Sequence, residues 1–275
     1  MTTQTDQIEN KILEHSFVIP VYGDSSFLDE CIKSLLSQTK KSKILITTAT
    51  PSKYITTIAD KYKIPVVTNK QASGIASDWN FAIKSCKTKY CTLAHQDDIY
   101  LPEYTEKMLR AIKKNTENLI VFCDYAELKN DSSKFWITYL IIKRVLLSPF
   151  YFKRSWQNNF VKKTILSLGC PICCPSVIFN LDMLQDFQFN SKFTINLDWD
   201  AWLKLSKKEG GFCFVPKPLM QHRISSECET SIGLKENRRQ NKDKIIFQRL
   251  WPKYIASLLG KFYEFCYCGS TERNN

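Results

Sequence analysis

Short, nearly all-apolar runs alternate along the first half of the chain with stretches whose apolar positions recur every three or four residues. The first run, Ser16 to Tyr22, reads as a parallel strand buried on both faces. Leu28, Cys31, Ile32, Leu35 and Leu36 then share one face of a helix, with Asp24 or Ser25 as its expected cap. Lys43 to Thr48 is a second strand. Ser52 can cap a helix that gathers Ile55, Ile58, Ala59 and Tyr62 on one side. Ile64 to Thr68 is a third strand, followed by a helix lined by Ile75, Trp79, Ala82, Ile83 and Cys86. Tyr90 to Ala94 is a fourth, and Leu101-Pro102-Glu103 opens a helix carrying Tyr104, Met108, Leu109 and Ile112.

Strand and helix alternating four times at short spacing predict an α/β fold: a mostly parallel sheet flanked by helices. Ligands of such sheets bind beyond the carboxyl ends of the strands, and Tyr22, Thr48, Asn69 and Asp97 fall there. This placement lifts Asp97-Asp98 above the solvated turn that two adjacent acids otherwise suggest.

After a strand at Leu119 to Phe122 the texture changes. Residues 135–154 are apolar, aromatic and basic together, with Lys143 and Arg144 inside the run. Those charges argue against a span; a helix lying in a membrane interface and a packed helical insert both fit. Pro175 to Phe179 and Phe212 to Val215 read as strands, with Gln221-His222-Arg223 leading into a loop. Asp198 to Leu205 reads as a helix with two acids in its first turn, where the helix dipole favours them. From about Gly233 the chain is basic, then apolar and aromatic, as in one or two amphipathic helices. The expected organisation is an alternating strand–helix half (1–125), a second half with the aromatic-basic insert and the acids of the later helix (126–232), and a C-terminal helical extension (233–275).

At 275 residues with 44% apolar content the chain can build a sizeable core, and its net charge of +12 favours anionic partners. No nucleic-acid-binding signature accompanies the charge, so nucleic acid is not an expected partner. The polar start, Met1 to Gln7, lacks the apolar core of a signal peptide, and eleven Cys then suggest reduced thiols in a cytoplasm. There is no G-x-x-x-x-G-K-[ST], G-x-G-x-x-G or G-x-S-x-G. Cys170-Pro-Ile-Cys173 has no second C-x-x-C to complete a zinc site. What remains is a set of acids, one late His-Arg pair and a sheet crevice.

Those remaining residues carry a resemblance. Ser16 to Thr39 resembles the opening of a family 2 glycosyltransferase of GT-A fold: an apolar strand, Pro20-Val21-Tyr22, a turn and an amphipathic helix. Gly74 to Asn80 resembles the family's glycine-to-asparagine segment. Ala94-His95-Gln96-Asp97-Asp98 falls where the family has Asp-x-Asp. Leu197-Asp198-Trp199-Asp200 falls where it carries its catalytic base, and Gln221-His222-Arg223 at its late His/Arg loop. The ordered match spans about four-fifths of the chain, and several motifs in order are far more specific than any one alone.

The resemblance implies a Rossmann-like GT-A sheet and inverting transfer of a sugar from a nucleotide-diphosphate donor to a hydroxyl of a glycan or lipid-linked acceptor, as in bacterial surface polysaccharide synthesis. Pro20, Val21, Tyr22, Thr48, Asn69, Gly74, Asn80, Asp97 and Arg223 would line the donor site. Asp97 and Asp98 offer oxygens to Mg²⁺ or Mn²⁺, which would carry the charge of the departing diphosphate, with His222 as a further ligand. Arg223 offers a planar fork to the diphosphate. Asp198, or Asp200 two residues on, would take the acceptor's proton. The positive charge and the 135–154 stretch suggest a peripheral position on an anionic membrane face.

The sequence also departs from the family pattern. Thr47 to Ser52 has no carboxylate where the family usually places one, so base recognition falls to hydroxyls, backbone groups or Asn69. His95 replaces the first Asp of Asp-x-Asp, Trp79 a common Arg, and Ser225 an expected second His. Two other readings stand beside the transferase: a nucleotidyltransferase, which lacks its Gly-rich diphosphate loop here, and a non-catalytic glycan- or nucleotide-binding protein on the same fold.

Overall fold

A computed structural model of the chain describes residues 13–70, 74–130, 132–225 and 238–271. The polar start at residues 1–7 and the basic stretch at 233–237 lie outside them. Strands β1 (His15–Val21), β2 (Lys43–Thr48), β3 (Val66–Thr68) and β4 (Tyr90–Leu93) run parallel in the order β3-β2-β1-β4. They are linked by α1 (Leu28–Leu36), α2 (Lys53–Tyr62) and α3 (Ile75–Ser85). The apolar faces pack as their spacing predicts: α1 buries Leu28, Cys31, Ile32 and Leu35, and α2 buries Ile55, Ile58 and Ala59. Leu36 ends α1 exposed.

Ser52 caps α2, its Oγ accepting the Ile55 N–H at 3.1 Å. The cap expected for α1 does not form: Phe27 holds that position with no side-chain cap bond. Asp24 is drawn across to accept from Ser52 Oγ at 2.6 Å, which ties the turns after β1 and β2 together.

Beyond β4 the sheet becomes mixed. The chain adds β5 (Ile99–Tyr100), α4 (Tyr104–Lys114), β6 (Asn118–Lys129), β9 (Val177–Asn180) and β10 (Gly211–Arg223). β9 inserts antiparallel between β4 and β6, β10 lies parallel to β6, and β5 closes that edge antiparallel to β10. Two short strands, β7 (Ser132–Lys134) and β8 (Ser155–Trp156), pair with β6 and β10 and complete ten. The division expected at residue 125 falls inside β6, so the two expected halves share one sheet.

β10 runs eight residues past the Val215 at which its apolar pattern stops. Pro216 and Pro218 cannot donate to a ladder, and the register with β6 shifts between Val215 and Pro218 and again before Met220. As a result Gln221-His222-Arg223 is strand rather than loop, anchored beside the turn that follows β4.

The remaining helices are α5 (Thr138–Leu146), α6 (Ser148–Phe152), α7 (Asn159–Ser167), α8 (Leu197–Leu205), α9 (Arg238–Leu250) and α10 (Lys253–Thr271). Residues 135–154 form a docked helical insert. Leu140, Leu147 and Phe150 are buried, and Arg144 pairs with Asp124 at 2.8 Å with both side chains largely covered. Trp199 and Trp202 of α8 are fully buried, and Phe247 of α9 and Tyr263 of α10 pack on Trp199. Among the described residues no helix is long and apolar enough to cross a membrane.

Candidate active site

The ends of β1, β2, β3 and β4 are held together by hydrogen bonds among their backbones and side chains. Gln96 Oε1 accepts the Tyr22 N–H at 3.1 Å while its Nε2 donates to the Tyr22 carbonyl at 3.2 Å. That reciprocal pair ties the turn after β4 to the tip of β1. Gly23 N–H donates to Thr50 Oγ1 (2.9 Å), and Thr50 N–H to Thr48 Oγ1 (3.0 Å). Asn69 N–H donates to the Thr48 carbonyl, and Asn69 Nδ2 to Asp78 Oδ1 at 3.0 Å. Hydroxyls thus line the crevice where a carboxylate is missing, and Thr47 Oγ1 is buried with no hydrogen-bond partner. Pro20 and Val21 lie within β1, and the Tyr22 ring projects into solvent, 66% exposed.

Gly74 occupies the N-cap position of α3 at φ +139°, a backbone conformation that side chains rarely adopt. Asn80, expected to meet the donor, is committed elsewhere. Its Oδ1 accepts the Phe189 N–H at 2.7 Å and its Nδ2 donates to the Phe189 carbonyl at 3.0 Å, which pins α3 to the segment before α8.

The acidic turn has a buried and an open half. Asp98 is completely buried; its Oδ1 accepts the Arg223 N–H at 2.9 Å and meets His222 Nδ1 at 2.9 Å. Its Oδ2 has no hydrogen-bond partner, and His95 Nδ1 stands 3.8 Å away. His95 Nε2 is likewise buried without a partner. Burial, and then the neighbouring negative charge of Asp98, push the Asp97 carboxyl up to about 6. Burial also lowers the pKa of His95, leaving it a neutral imidazole at neutral pH.

His95, Asp97 and Asp98 each offer a ligand atom within 4.8 Å of the others. An orphaned buried carboxylate oxygen, beside a second carboxyl held above its usual range and an imidazole, fits a divalent cation with oxygen and imidazole ligands. The converging set includes His95, while His222, the other candidate imidazole, meets Asp98 Oδ1 from β10.

Arg223, expected to reach the diphosphate, is turned inward at 6% exposure. Its Nε donates to the Asp97 carbonyl at 2.9 Å, its Nη2 pairs with Glu30, and its guanidinium lies 4.3 Å over the Phe27 ring. It braces the acidic turn from α1.

The two candidate bases part company on α8. Asp200 is buried and faces α9, with Oδ1 2.7 Å from Arg249 Nη1 and Oδ2 3.2 Å from Lys204 Nζ. Asp198 is half-buried. Its Oδ1 accepts its neighbour's Trp199 N–H at 2.8 Å, and it lies close enough to His95 to favour that ring's protonated form. Of the two, Asp198 shares the crevice with the acidic turn.

Sequence reasoning passed over Gln96 and Glu30. Gln96 sits inside the very motif that was singled out, but its partner is backbone, which leaves no trace in residue type. Glu30 stands on the polar side of α1, where a solvated acid is unremarkable.

The profile of Glycosyl transferase family 2 matches residues 16–179, more than half of the chain, and the chain belongs to that family. An uncharacterized glycosyltransferase of Rickettsia typhi is 25% identical over 255 residues, covering 88% of this chain and 72% of that protein. Among solved structures, S. aureus TarS 1-349 in complex with UDP matches at a TM-score of 0.56 and 15% identity, over 78% of this chain and 62% of that one. Its complex with UDP-GlcNAc matches at 0.60 and 13%, over 95% and 74%. The mannosyltransferase PcManGT of Pyrobaculum calidifontis, in complex with GDP-Man and Mn2+, matches at 0.61 and 10%, over 92% and 69%. At these identities the structures share the fold, which is GT-A. The chain is a glycosyltransferase.

Proposed function

We propose that the chain transfers a sugar, with inversion, from a nucleotide-diphosphate donor to a hydroxyl of a glycan or lipid-linked acceptor in bacterial surface polysaccharide synthesis, assisted by Mg²⁺ or Mn²⁺. The observation that carries this reading is the orphaned buried Asp98 Oδ2 at the carboxyl end of β4, with the His95 ring 3.8 Å away and Asp97 in the same group of potential ligands. A divalent cation held by His95, Asp97 and Asp98 would supply positive charge where the diphosphate departs. His222 and the Arg223 backbone fix Asp98, and Arg223 fixes the Asp97 carbonyl, so the ligand set is preorganised. Tyr22 offers an exposed ring to a nucleobase. The hydroxyls of Thr48 and Thr50, with Asn69, sit where a base or ribose would be read.

Asp198 is the base. It takes the proton of the acceptor hydroxyl as that oxygen attacks the anomeric carbon from the face opposite the departing diphosphate. Proton NMR of the sugar first released from an α-linked nucleotide sugar tests the stereochemistry. The β-anomer is expected, and the α-anomer appearing first would refute inversion.

A lipid-linked acceptor suits the surface around α5 and α10, which pack together. Ile141, Val145 and Phe152 on one side and Tyr254, Leu258 and Phe262 on the other are exposed, and Lys153, Arg154, Lys253 and Lys261 flank them. Apolar tips among basic residues on a chain of net charge +12 complement an anionic bilayer. Flotation with vesicles containing phosphatidylserine is expected at low salt and lost in Phe152→Ser/Leu258→Ser; no flotation of the wild type would remove the membrane from the account.

A further inference from the structure

The buried cysteines of the Cys170-Pro-Ile-Cys173-Cys174 segment, set aside as a metal motif, do not gather into a ligand group among the described residues. One of them nevertheless touches the chemistry. Cys170 Sγ lies 3.8 Å from Asp198 Oδ2 and 3.4 Å from the Ile172 carbonyl oxygen. Burial, and then the charge of Asp198, push the thiol well above its ordinary pKa, so it stays protonated and can only donate. It has one proton for two acceptors. The Ile172 carbonyl is already served by Trp202 Nε1 at 3.2 Å, whereas Asp198 Oδ2 has no other hydrogen bond among those the described residues make.

The backbone of Cys170 is held in turn by the C-terminal extension. Its N–H donates to Tyr263 Oη of α10 at 3.1 Å. Gly169 makes that approach possible, since a Cβ there would stand 2.7 Å from Tyr263 Cε2. Tyr263 also packs on Trp199, the residue that follows Asp198, with ring centroids 5.6 Å apart. From the other side α9 fastens the same turn of α8, through Arg249 to Asp200 and Asp243 to Asn196 at 2.5 Å.

We propose that Cys170 and Tyr263 are positioning residues for Asp198, an inference that rests on Asp198 acting as the base. Tyr263 holds the Gly169–Cys170 turn, and the thiol of that turn orients the carboxylate. A thiol is a weak donor, so it directs Oδ2 without strongly lowering its basicity. When Asp198 takes the acceptor's proton, the thiol keeps its own proton and turns it to the Ile172 carbonyl. No bond to sulfur is made or broken. The C-terminal helices are then part of the active site's support, although none of their described residues reaches the crevice acids other than through α8 and this turn.

The direct test needs no substrate. The S–H stretch of Cys170 is isolated by Raman difference spectroscopy of the full chain against Cys170→Ala. It is expected to shift in Asp198→Ala and, because the turn relaxes, in Tyr263→Phe. An unchanged band in Asp198→Ala would overturn the proposal. The second arm is kinetic, with Mn²⁺-dependent diphosphate release from UDP-GlcNAc or GDP-mannose. Tyr263→Phe and Cys170→Ala are expected to lower kcat three- to tenfold with KM for the donor within twofold, and Cys170→Ser, which keeps a donor, to recover part of the loss. Unchanged kcat in both variants, or kcat falling only in step with donor KM and Tm, would overturn it. Asp198→Asn at full kcat would instead strike the base assignment itself.

Discussion

Asp198 and Asp200 stand two residues apart, yet their substitution by Asn is expected to separate catalysis from stability. Asp200 is 3% exposed and accepts from Arg249, with Lys204 at 3.2 Å. Asp200→Asn removes the buried charge but leaves both cations half-exposed and able to turn to water. The loss is that of a charge-assisted hydrogen bond and a weaker ion pair, about 2 kcal/mol. At this chain length that corresponds to roughly 4–8 °C in Tm. Asp198→Asn keeps the oxygen that accepts the Trp199 N–H, so stability should hold to within about 0.5 kcal/mol. Its amide cannot take a proton, and loss of a general base lowers kcat by about 10²- to 10⁴-fold. Urea midpoints and diphosphate release measured on the same preparations give both quantities. A folded Asp200→Asn with little activity beside a fully active Asp198→Asn would refute the assignment.

Three further outcomes follow from buried polar groups. Arg144→Met leaves the Asp124 carboxylate covered and without its guanidinium, which should cost about 3–5 kcal/mol and expose the 135–154 insert to proteolysis. Asn80→Ala strips the Phe189 backbone of both its partners; Tm should fall by the equivalent of about 1–3 kcal/mol, with the change in hydrogen exchange centred on residues 187–190. His15 is buried between Ser42 and Thr92 and is held down to about 3, so the unfolded chain takes up the proton first as pH falls below 6.5. Its contribution is fully present above 6.5 and is lost progressively toward 3; at pH 5 it amounts to about 2 kcal/mol of lost stability. His15→Asn should flatten that part of the pH–stability curve, and an unchanged slope would show that other groups set it.

The first half of the fold was legible because its signals are local. Strands of three to seven mostly apolar residues, helices of clean period and the Ser52 cap each depend on neighbours within a turn or two. The second half was less so. Antiparallel β9 carries no mark that distinguishes it from a parallel strand, and the prolines of β10 hide a strand that a register shift restores. The chemistry was legible as residue types and not as partners. Asp97, Asp98 and Asp198 could be singled out as candidates from their places in the chain. That Asp200 belongs to Arg249, Asn80 to Phe189 and Arg223 to Glu30 depends on contacts 49, 109 and 193 residues apart. His95 was the least readable residue from sequence; its ring, 3.8 Å from the orphaned Asp98 Oδ2, gives it a reason to be there.

In the proposed mechanism a nucleotide-sugar is bound through a cation held by His95, Asp97 and Asp98. Thermal shift with Mn²⁺ alone, UDP-GlcNAc or GDP-mannose alone, and each pair, in the wild type and in Asp98→Asn, tests it most directly. Binding to the folded state at a hundred times Kd raises stability by about 2.7 kcal/mol. That shift is expected for one donor in the presence of Mn²⁺, a much smaller one without it, and neither in Asp98→Asn. A donor that stabilises the wild type equally with and without metal, or an Asp98→Asn chain that keeps the metal-dependent shift, would contradict it.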